Sequence, residues 1–548
     1  MKKVLRNKTV LALFSIFFIS FLSGNLLFAK GREPEIIKRE PCDYLELEYG
    51  RYEKIKTSLT RDEFEKDLTH LCYLLNTGYA GYEDMLEKGF VIEEFRSKVQ
   101  EKFSGAEEIN SRNFYFAISE GLKPYINDSH FVLWHFRDSS IFSTKKICAW
   151  SDIYVRKNDS GKVKNASSGK NAGSGDNASS TEKASSTENA ASITFTVTES
   201  ESVGINPGDI YTGSEAFLFN YPVKGKDIYR VGIMSEENTK PFTASFSFNG
   251  SEIPVFVKED TAIERRNNMK FKEFSTKDSA YIELNDFMLP DINAPSRKAS
   301  EIIFDKYIRL GKKYNGKKNI ILDMRANNGG NATYAASFLF CLRNDYEPSD
   351  TGRLLENLDD WSNQSFFVRK QINSPAYYKV ARDIYESRNL LLDRNKYASF
   401  LEQSKTNRER VVTKNILQPS KLFSKPSRFK GKLIILNDRN TASAGEFTTL
   451  YAKLILGKEN VFVLGENTYG MAEYWNVIDV QLPCSKIVIH TSFATNETIK
   501  ENEKWHGEGT GLYPDYWCTG CDLNETIFMI TRDEEMKEKL KNIEFYLL

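Results

Sequence analysis

Chemistry in this chain would start at a serine. In NDRNTASAGEFTTL, Asn437 to Leu450, Ser443 follows the apolar run GKLIILND and precedes EFTTLYAKLIL, whose apolar residues recur at helical spacing. Ser443 therefore stands where a strand hands over to a helix, and two roles fit that place. With Glu446 three residues on, it forms a capping box, the serine accepting from a free amide and the glutamate reaching back. As a nucleophile it would need a base and an oxyanion site from elsewhere in the chain. A second stretch, IILDMRANNGGNATYAASF, runs from a strand through Asn327-Asn328-Gly329-Gly330 into a helix. Two glycines there permit backbone conformations that other residues avoid and expose amides at a helix start. The same four residues also read as ordinary strand-to-helix punctuation. The histidines are His70, His130, His135, His490 and His506, with no HExxH or comparable metal spacing. Taken alone, His130 beside Phe131 and Trp134 reads as a packing residue, and His490 inside the alternating run SKIVIHTSF as a structural one.

The elements that must position these residues follow from periodicity. From about Arg51 to Phe136, RDEFEKDLTHLCYLLNTGYAGYEDML and VIEEFRSKVQEKF put apolar residues three and four apart, which predicts a helical N-terminal domain over 45–137. SITFTVTES, DIYRVGIM, ASFSFN and IPVFVKE alternate with period two between Gly, Asn and Pro punctuation, which predicts a small β-rich domain over 138–270. Inside it, Asn158 to Ala191 is nearly all Ser, Asn, Ala, Gly and Lys and reads as a disordered insertion. From about Ser275 the texture becomes strand, helix, strand, which argues for an α/β domain over 271–530. Glu347 to Arg428, polar, aromatic and mostly helical in pattern, interrupts that alternation as an insertion.

Composition bounds the partners. The 548 residues carry 75 Lys plus Arg and 75 Asp plus Glu, so no overall charge argues for nucleic acid. The N-terminus has a basic start, an apolar run broken at Ser23-Gly24-Asn25, and Ala29 as a cleavage point, which predicts a signal peptide over 1–29 and a periplasmic or extracellular location. Left uncleaved, the segment would anchor the chain to a membrane. Seven cysteines are too sparse for a disulfide scaffold, and Cys518-Thr519-Gly520-Cys521 reads as a local disulfide rather than a metal half-site.

Four stretches, DMRANNGG (Asp323 to Gly330), TASAGE (Thr441 to Glu446), GENTYG (Gly465 to Gly470) and EGTGLYPD (Glu508 to Asp515), resemble in this order the motifs of the C-terminal-processing and tricorn-type serine peptidases. The resemblance spans roughly Ser275 to Trp517. It implies a ClpP/crotonase-like α/β catalytic domain, Ser443 as nucleophile, and an oxyanion hole from Gly329, Gly330 and Ala444. It also implies a protein or peptide substrate and no metal or organic cofactor. Relatives carry a PDZ-like module in the middle position, which GINPGDIYTG matches poorly, so that domain is expected to be a degenerate version.

The family divides by its base. The C-terminal-processing branch has a lysine directly after the GxxTxG element, where this chain has Met471, and a thioether cannot take a proton from a serine. The tricorn-type branch uses a histidine preceded by a serine, and KPYINDSHFVLWHF resembles that element at Ser129-His130. The implied chain runs from Glu508 through Ser129 and His130 to Ser443, since a neutral imidazole can accept the serine proton near neutrality. Glu508 is preferred over Glu501 and Glu503 because it alone keeps the spacing to Gly511, Pro514 and Asp515. His135 and His506 are runner-up bases, and Ser129 also fits a turn cap in Asn127-Asp128-Ser129. The reading is an exported serine endopeptidase or carboxyl-terminal protease. Its rivals are a binding protein that kept the fold and lost the chemistry, and an envelope protein whose low-complexity segment makes the contacts that matter.

Overall fold

The computed structural model describes residues 54–158, 194–260, 272–284, 287, 297–330, 332–343, 427–496, 498–518, 522–541 and 543, with four short isolated strands. The expected signal segment 1–29, nearly all of the insertion 158–191, most of 347–428, and Cys521 lie outside them. The chain divides into two compact units, one of Met1–Ile147, Ala262–Asp515 and Thr519–Leu548, the other of Cys148–Thr261 and Tyr516–Cys518.

The first unit begins with helices α1 (Arg61–Thr77), α2 (Tyr82–Glu87), α3 (Ile92–Lys102) and α4 (Ser111–Leu122). Helix α1 starts at a capping box: the Glu63 amide donates to Thr60 Oγ1 (3.3 Å), and the Thr60 amide to Glu63 Oε2 (3.0 Å). Its buried stripe of Phe64, Leu68, Leu71 and Leu75 packs into one core with Leu133, Val480, Ile489 and Phe493. After α4 the chain turns through 127–130 into the hairpin of β1 (Val132–His135) and β2 (Asp138–Ile141).

The second unit holds β3 (Lys146–Lys157), β4 (Phe195–Glu199), β5 (Ile210–Tyr211), β6 (Leu218–Asn220), β7 (Ile228–Glu236), β8 (Phe242–Phe248) and β9 (Ser251–Glu259). They hydrogen-bond in the order β6-β7-β3-β9-β8-β5-β4, and a further pairing of β3 with β4 closes five of them into a ring. Alternation supplies the core: Ile153, Val155, Val197, Phe246, Val255 and Val257 all point inward. The period-two runs SITFTVTES, DIYRVGIM, ASFSFN and IPVFVKE fall on β4, β7, β8 and β9.

The α/β part of the first unit contains β10 (Glu273–Ser275), β11 (Ser279–Glu283), α5 (Arg297–Tyr314), β12 (Asn319–Asp323) and α6 (Ala332–Leu342). In the interrupting segment, β13 (Arg369–Asn373) and β14 (Arg410–Asn415) are the described elements, both strands. Then come β15 (Lys432–Asn437), α7 (Ala444–Leu456), β16 (Val461–Gly465), β17 (Tyr474–Gln481) and β18 (Val488–Asn496). Strands β11, β12, β15 and β16 are parallel neighbours, with β10 antiparallel at the edge. NIILD and KLIILN are unbroken apolar runs because parallel strands are covered on both faces. Their carboxyl ends deliver DMRANNGG and NDRNTASAGE side by side. The antiparallel strand β18 pairs with β1, Val488 opposite Trp134 and His490 opposite Val132. That ladder fixes the 127–130 turn two residues upstream of β1.

Candidate active site

Ser443 is the residue before α7 and has a left-handed backbone, φ 52° and ψ −116°. A serine held there stores roughly 1–3 kcal/mol of strain, which the surroundings must offset. They do so by lacing the two loops together. The Ala442 amide donates to the Asn327 carbonyl (2.8 Å), the Ala326 amide to Asp438 Oδ1 (2.9 Å), and Thr441 Oγ1 to the Met324 carbonyl (2.9 Å). Gly329 (φ 96°) packs so tightly that a Cβ on it would come within 2.8 Å of Ser443 Cβ and 2.9 Å of the Ala444 nitrogen. Only glycine fits there.

Glu446 is the second anchor. Its Oε2 accepts from the Ser443 amide (2.9 Å) and the Met471 amide (2.8 Å), and its Oε1 from the Gly470 amide (3.0 Å) and the Thr468 hydroxyl. The glutamate thus reaches back to Ser443 as a capping partner while tying GENTYG beneath the serine. Burial pushes its carboxyl up to about 7, against the pull of these hydrogen bonds.

The Ser443 hydroxyl, half-exposed, faces His130 Nε2 at 3.1 Å, within reach for proton transfer. Burial, and then the nearby charge of His490, lower the imidazole to about 3, with the Tyr474 carbonyl working the other way. His130 is therefore neutral at physiological pH. With Nε2 accepting from the serine, the ring proton is assigned to Nδ1, a buried atom that faces the Tyr474 carbonyl without reaching full hydrogen-bond geometry.

The structure brings Ser443, His130, Ser129 and Glu508 together, but the links differ from a simple relay. Glu508 Oε2 accepts the backbone amide of Ser129 (2.9 Å), and its Oε1 accepts the amides of Ala472 (3.1 Å) and Glu473 (2.8 Å). The Ser129 hydroxyl has one proton and gives it to the Gly470 carbonyl (2.7 Å). Glu508 thus holds the turn by its backbone, and burial, with Asp128 nearby, raises its carboxyl well above the usual range. Of the three expected oxyanion residues, Gly329 already donates its amide to Asn327 Oδ1 (2.8 Å). Ala444 opens the first helical turn, where no intrahelical acceptor exists, and Gly330 (φ 122°) follows the turn.

The other candidates lie in different surroundings. His135 Nε2 bonds Ser111 Oγ (3.0 Å) and stacks on Tyr115. His490 Nδ1 pairs with Asp479 (2.5 Å), and His506 stacks on Tyr513 at 3.5 Å. Glu501 and Glu503 are exposed. Met471 contributes its amide to Glu446 at the position where the lysine-using branch has its base. Asp128, read from sequence only as turn composition, is fully buried, and its Oδ1 accepts the His130 amide (2.7 Å). The signal was present in the spacing, since an aspartate two residues before a histidine is placed to make an Asx turn. Among the described residues no group of three or more His, Cys, Asp and Glu could hold a metal ion.

Comparison with known proteins falls on the same segment. No curated protein matches the chain. Among solved structures it is similar to mature CPAF (11% identity, 88% of this chain and 97% of that one, TM-score 0.37). It is also similar to the photosystem II D1 C-terminal processing protease (13%, 84% and 94%, TM-score 0.30) and the tricorn protease (11%, 88% and 37%, TM-score 0.28). At these scores the assignment is carried by the family model, which matches residues 278–517, from the start of β11 through EGTGLYPD. Through that segment, residues 278–517, the chain matches the model of peptidase family S41.

Proposed function

We propose that the chain is an exported serine peptidase in which Ser443 attacks a peptide carbonyl and His130 is the general base. The observation that carries the reading is the 3.1 Å contact between Ser443 Oγ and His130 Nε2, across more than three hundred residues of sequence. The hydroxyl proton passes to Nε2 as Oγ bonds the carbonyl carbon. The resulting oxyanion sits against the amides of Ala444 and Gly330, at the positive end of α7. His130 then returns the proton to the leaving amine, and water, activated by the same imidazole, hydrolyses the acyl-enzyme. Met471 takes no part in proton transfer. The N-terminal segment 1–29 supports export.

A second reading, a binding protein on the same fold, is favoured by one observation, the buried His130 Nδ1–H with no carboxylate bonded to it to stabilise an imidazolium. The two separate cleanly. Incubation of the signal-free protein with a mixture of unstructured peptides, followed by mass spectrometry, should give new termini with wild type and none with Ser443→Ala. Intact peptides with both proteins, at a wild-type concentration that retards peptide migration, would select the binding reading.

A further inference from the structure

We propose that Asp128 is a positioning residue for His130, holding the imidazole on Ser443 through the main chain rather than through the ring. This rests on the peptidase reading above. Asp128 is 0% exposed, and burying a carboxylate is costly unless its acceptors are used. They are used on the residues that aim the base. Oδ1 accepts the His130 amide (2.7 Å), Oδ2 accepts the Ser492 hydroxyl from β18 (2.7 Å), and the Tyr79 hydroxyl also bonds the carboxylate. A turn that only needed an Asx bond could keep its aspartate in solvent. Here the second oxygen is pinned to the strand that pairs with β1, so the backbone nitrogen of His130 is referred directly to the sheet.

The neighbouring amide, that of Ser129, is held by a different carboxylate, Glu508. Two successive amides are thus clamped by two buried acids, and that arrangement fixes the main chain leading into the Cα of His130. The ring makes one full hydrogen bond of its own, Nε2 to Ser443 Oγ, while Nδ1 faces the Tyr474 carbonyl short of full hydrogen-bond geometry and meets no carboxylate. In the familiar triad arrangement a carboxylate on Nδ1 orients the ring. With that bond absent, backbone placement and packing against neighbouring side chains must do the orienting. Asp128 supplies a direct polar share, since its side chain joins the His130 amide to Ser492 in β18, beside the β1–β18 ladder that begins at Val132. An error of about 1 Å in the base can cost on the order of 10²-fold in rate.

The test uses the full signal-free chain, with steady-state cleavage of a peptide substrate and the rate of fluorophosphonate reaction at Ser443. Asp128→Ala should lower kcat by about 30-fold or more while KM stays within about twofold, because the substrate does not touch Asp128. Asp128→Asn retains an acceptor for the His130 amide, and its NH2 can donate to Ser492 Oγ, so it should restore kcat to within about fivefold of wild type. Ser492→Ala loosens the anchor without emptying the turn and should lower kcat by a few-fold; it serves if Asp128→Ala does not fold. Wild-type kcat in Asp128→Ala, or in Ser492→Ala with the alanine variant unfolded, would overturn the proposal. An asparagine variant as slow as the alanine one would overturn it too, by showing that charge and not the hydrogen bond matters. Failure of the peptidase reading is told apart by histidine-labelled NMR of Ser443→Ala, which has no chemistry to lose. There the His130 ring resonances should shift or broaden on adding Asp128→Ala and persist on adding Asp128→Asn. Unchanged His130 resonances in both would sink the positioning role whatever the enzyme does.

Discussion

The two sides of the candidate site are built differently. On the nucleophile side, a strained serine is over-determined: Glu446 spends both oxygens on four donors around it, and Gly329 fits against it with no room for a methyl group. On the base side, His130 is held by its backbone while its ring makes a single full hydrogen bond. The nucleophile side therefore has its geometry fixed by many redundant bonds. On the base side the bonds, to Asp128 and Glu508, hold the main chain rather than the reacting ring. Under the proposed roles, a rigid elbow facing an imidazole held through its main chain predicts that changes at His130 act on rate and changes around the elbow act on stability as well.

Several experiments can break or sharpen that contrast. The largest effect is expected at the reacting atoms: Ser443→Ala and His130→Ala should each reduce peptide hydrolysis by about 10³-fold or more, with melting temperatures close to wild type. A large fall in melting temperature in His130→Ala would show that the base side is structural after all.

Next in size is the pH dependence of stability. The Glu446 carboxyl is pushed from its ordinary 4.5 up to about 7 in the folded state. Between those values the native protein binds more protons than the unfolded chain, so stability should fall as pH rises from 4.5 to 7, by up to about 3 kcal/mol from this group. Asp128 and Glu508 are raised in the same direction and add to the slope. Glu446→Gln should flatten the slope in that window, as urea unfolding at several pH values would reveal. An unchanged slope would mean the buried glutamate is ionised at little cost.

Gly329→Ala should follow, lowering kcat by about 10²-fold, because the new methyl group must displace Ser443 or the Ala444 amide. Full activity in that variant would contradict the close packing of the two loops. The smallest effect belongs to Ser129. Its hydroxyl is committed to the Gly470 carbonyl, so Ser129→Ala should cost less than about tenfold in kcat. A loss of 10³-fold would instead indicate that the hydroxyl turns onto His130 during the reaction.

How far the sequence revealed this contrast follows the same division. The elbow was legible because each part is local: an apolar run ending in Asn437-Asp438, a serine three residues before a glutamate, two glycines after a strand. Those patterns are dictated by strand, cap and turn chemistry within a few residues. The helical stripe of α1 and the alternation in β7 to β9 were legible for the same reason. Bonds between distant segments were not. Nothing near Ser129 in sequence indicates that its amide goes to Glu508 and its hydroxyl to Gly470. Nothing in KPYINDSHF reveals that Ser492, in β18, completes the shell around Asp128. The Asn127-Asp128-Ser129 run has the composition of any exposed turn, and only the hydroxyls of Ser492 and Tyr79, brought to it from distant segments, turn its aspartate into an anchor. The amide of Gly329, expected at the oxyanion, is taken by a side chain only two residues away. That bond depends on turn geometry that residue types alone do not specify.

The central claim is that Ser443 is activated by His130, and fluorophosphonate labelling tests it most directly. Wild type, Ser443→Ala and His130→Ala would be reacted with the probe in parallel, and the modified residue located by peptide mapping. Activation by His130 gives a single adduct on Ser443 in wild type, none in Ser443→Ala, and labelling at least about 10²-fold slower in His130→Ala. A folded wild type that stays unlabelled, or labelling of Ser443 at the same rate without the His130 imidazole, would contradict it.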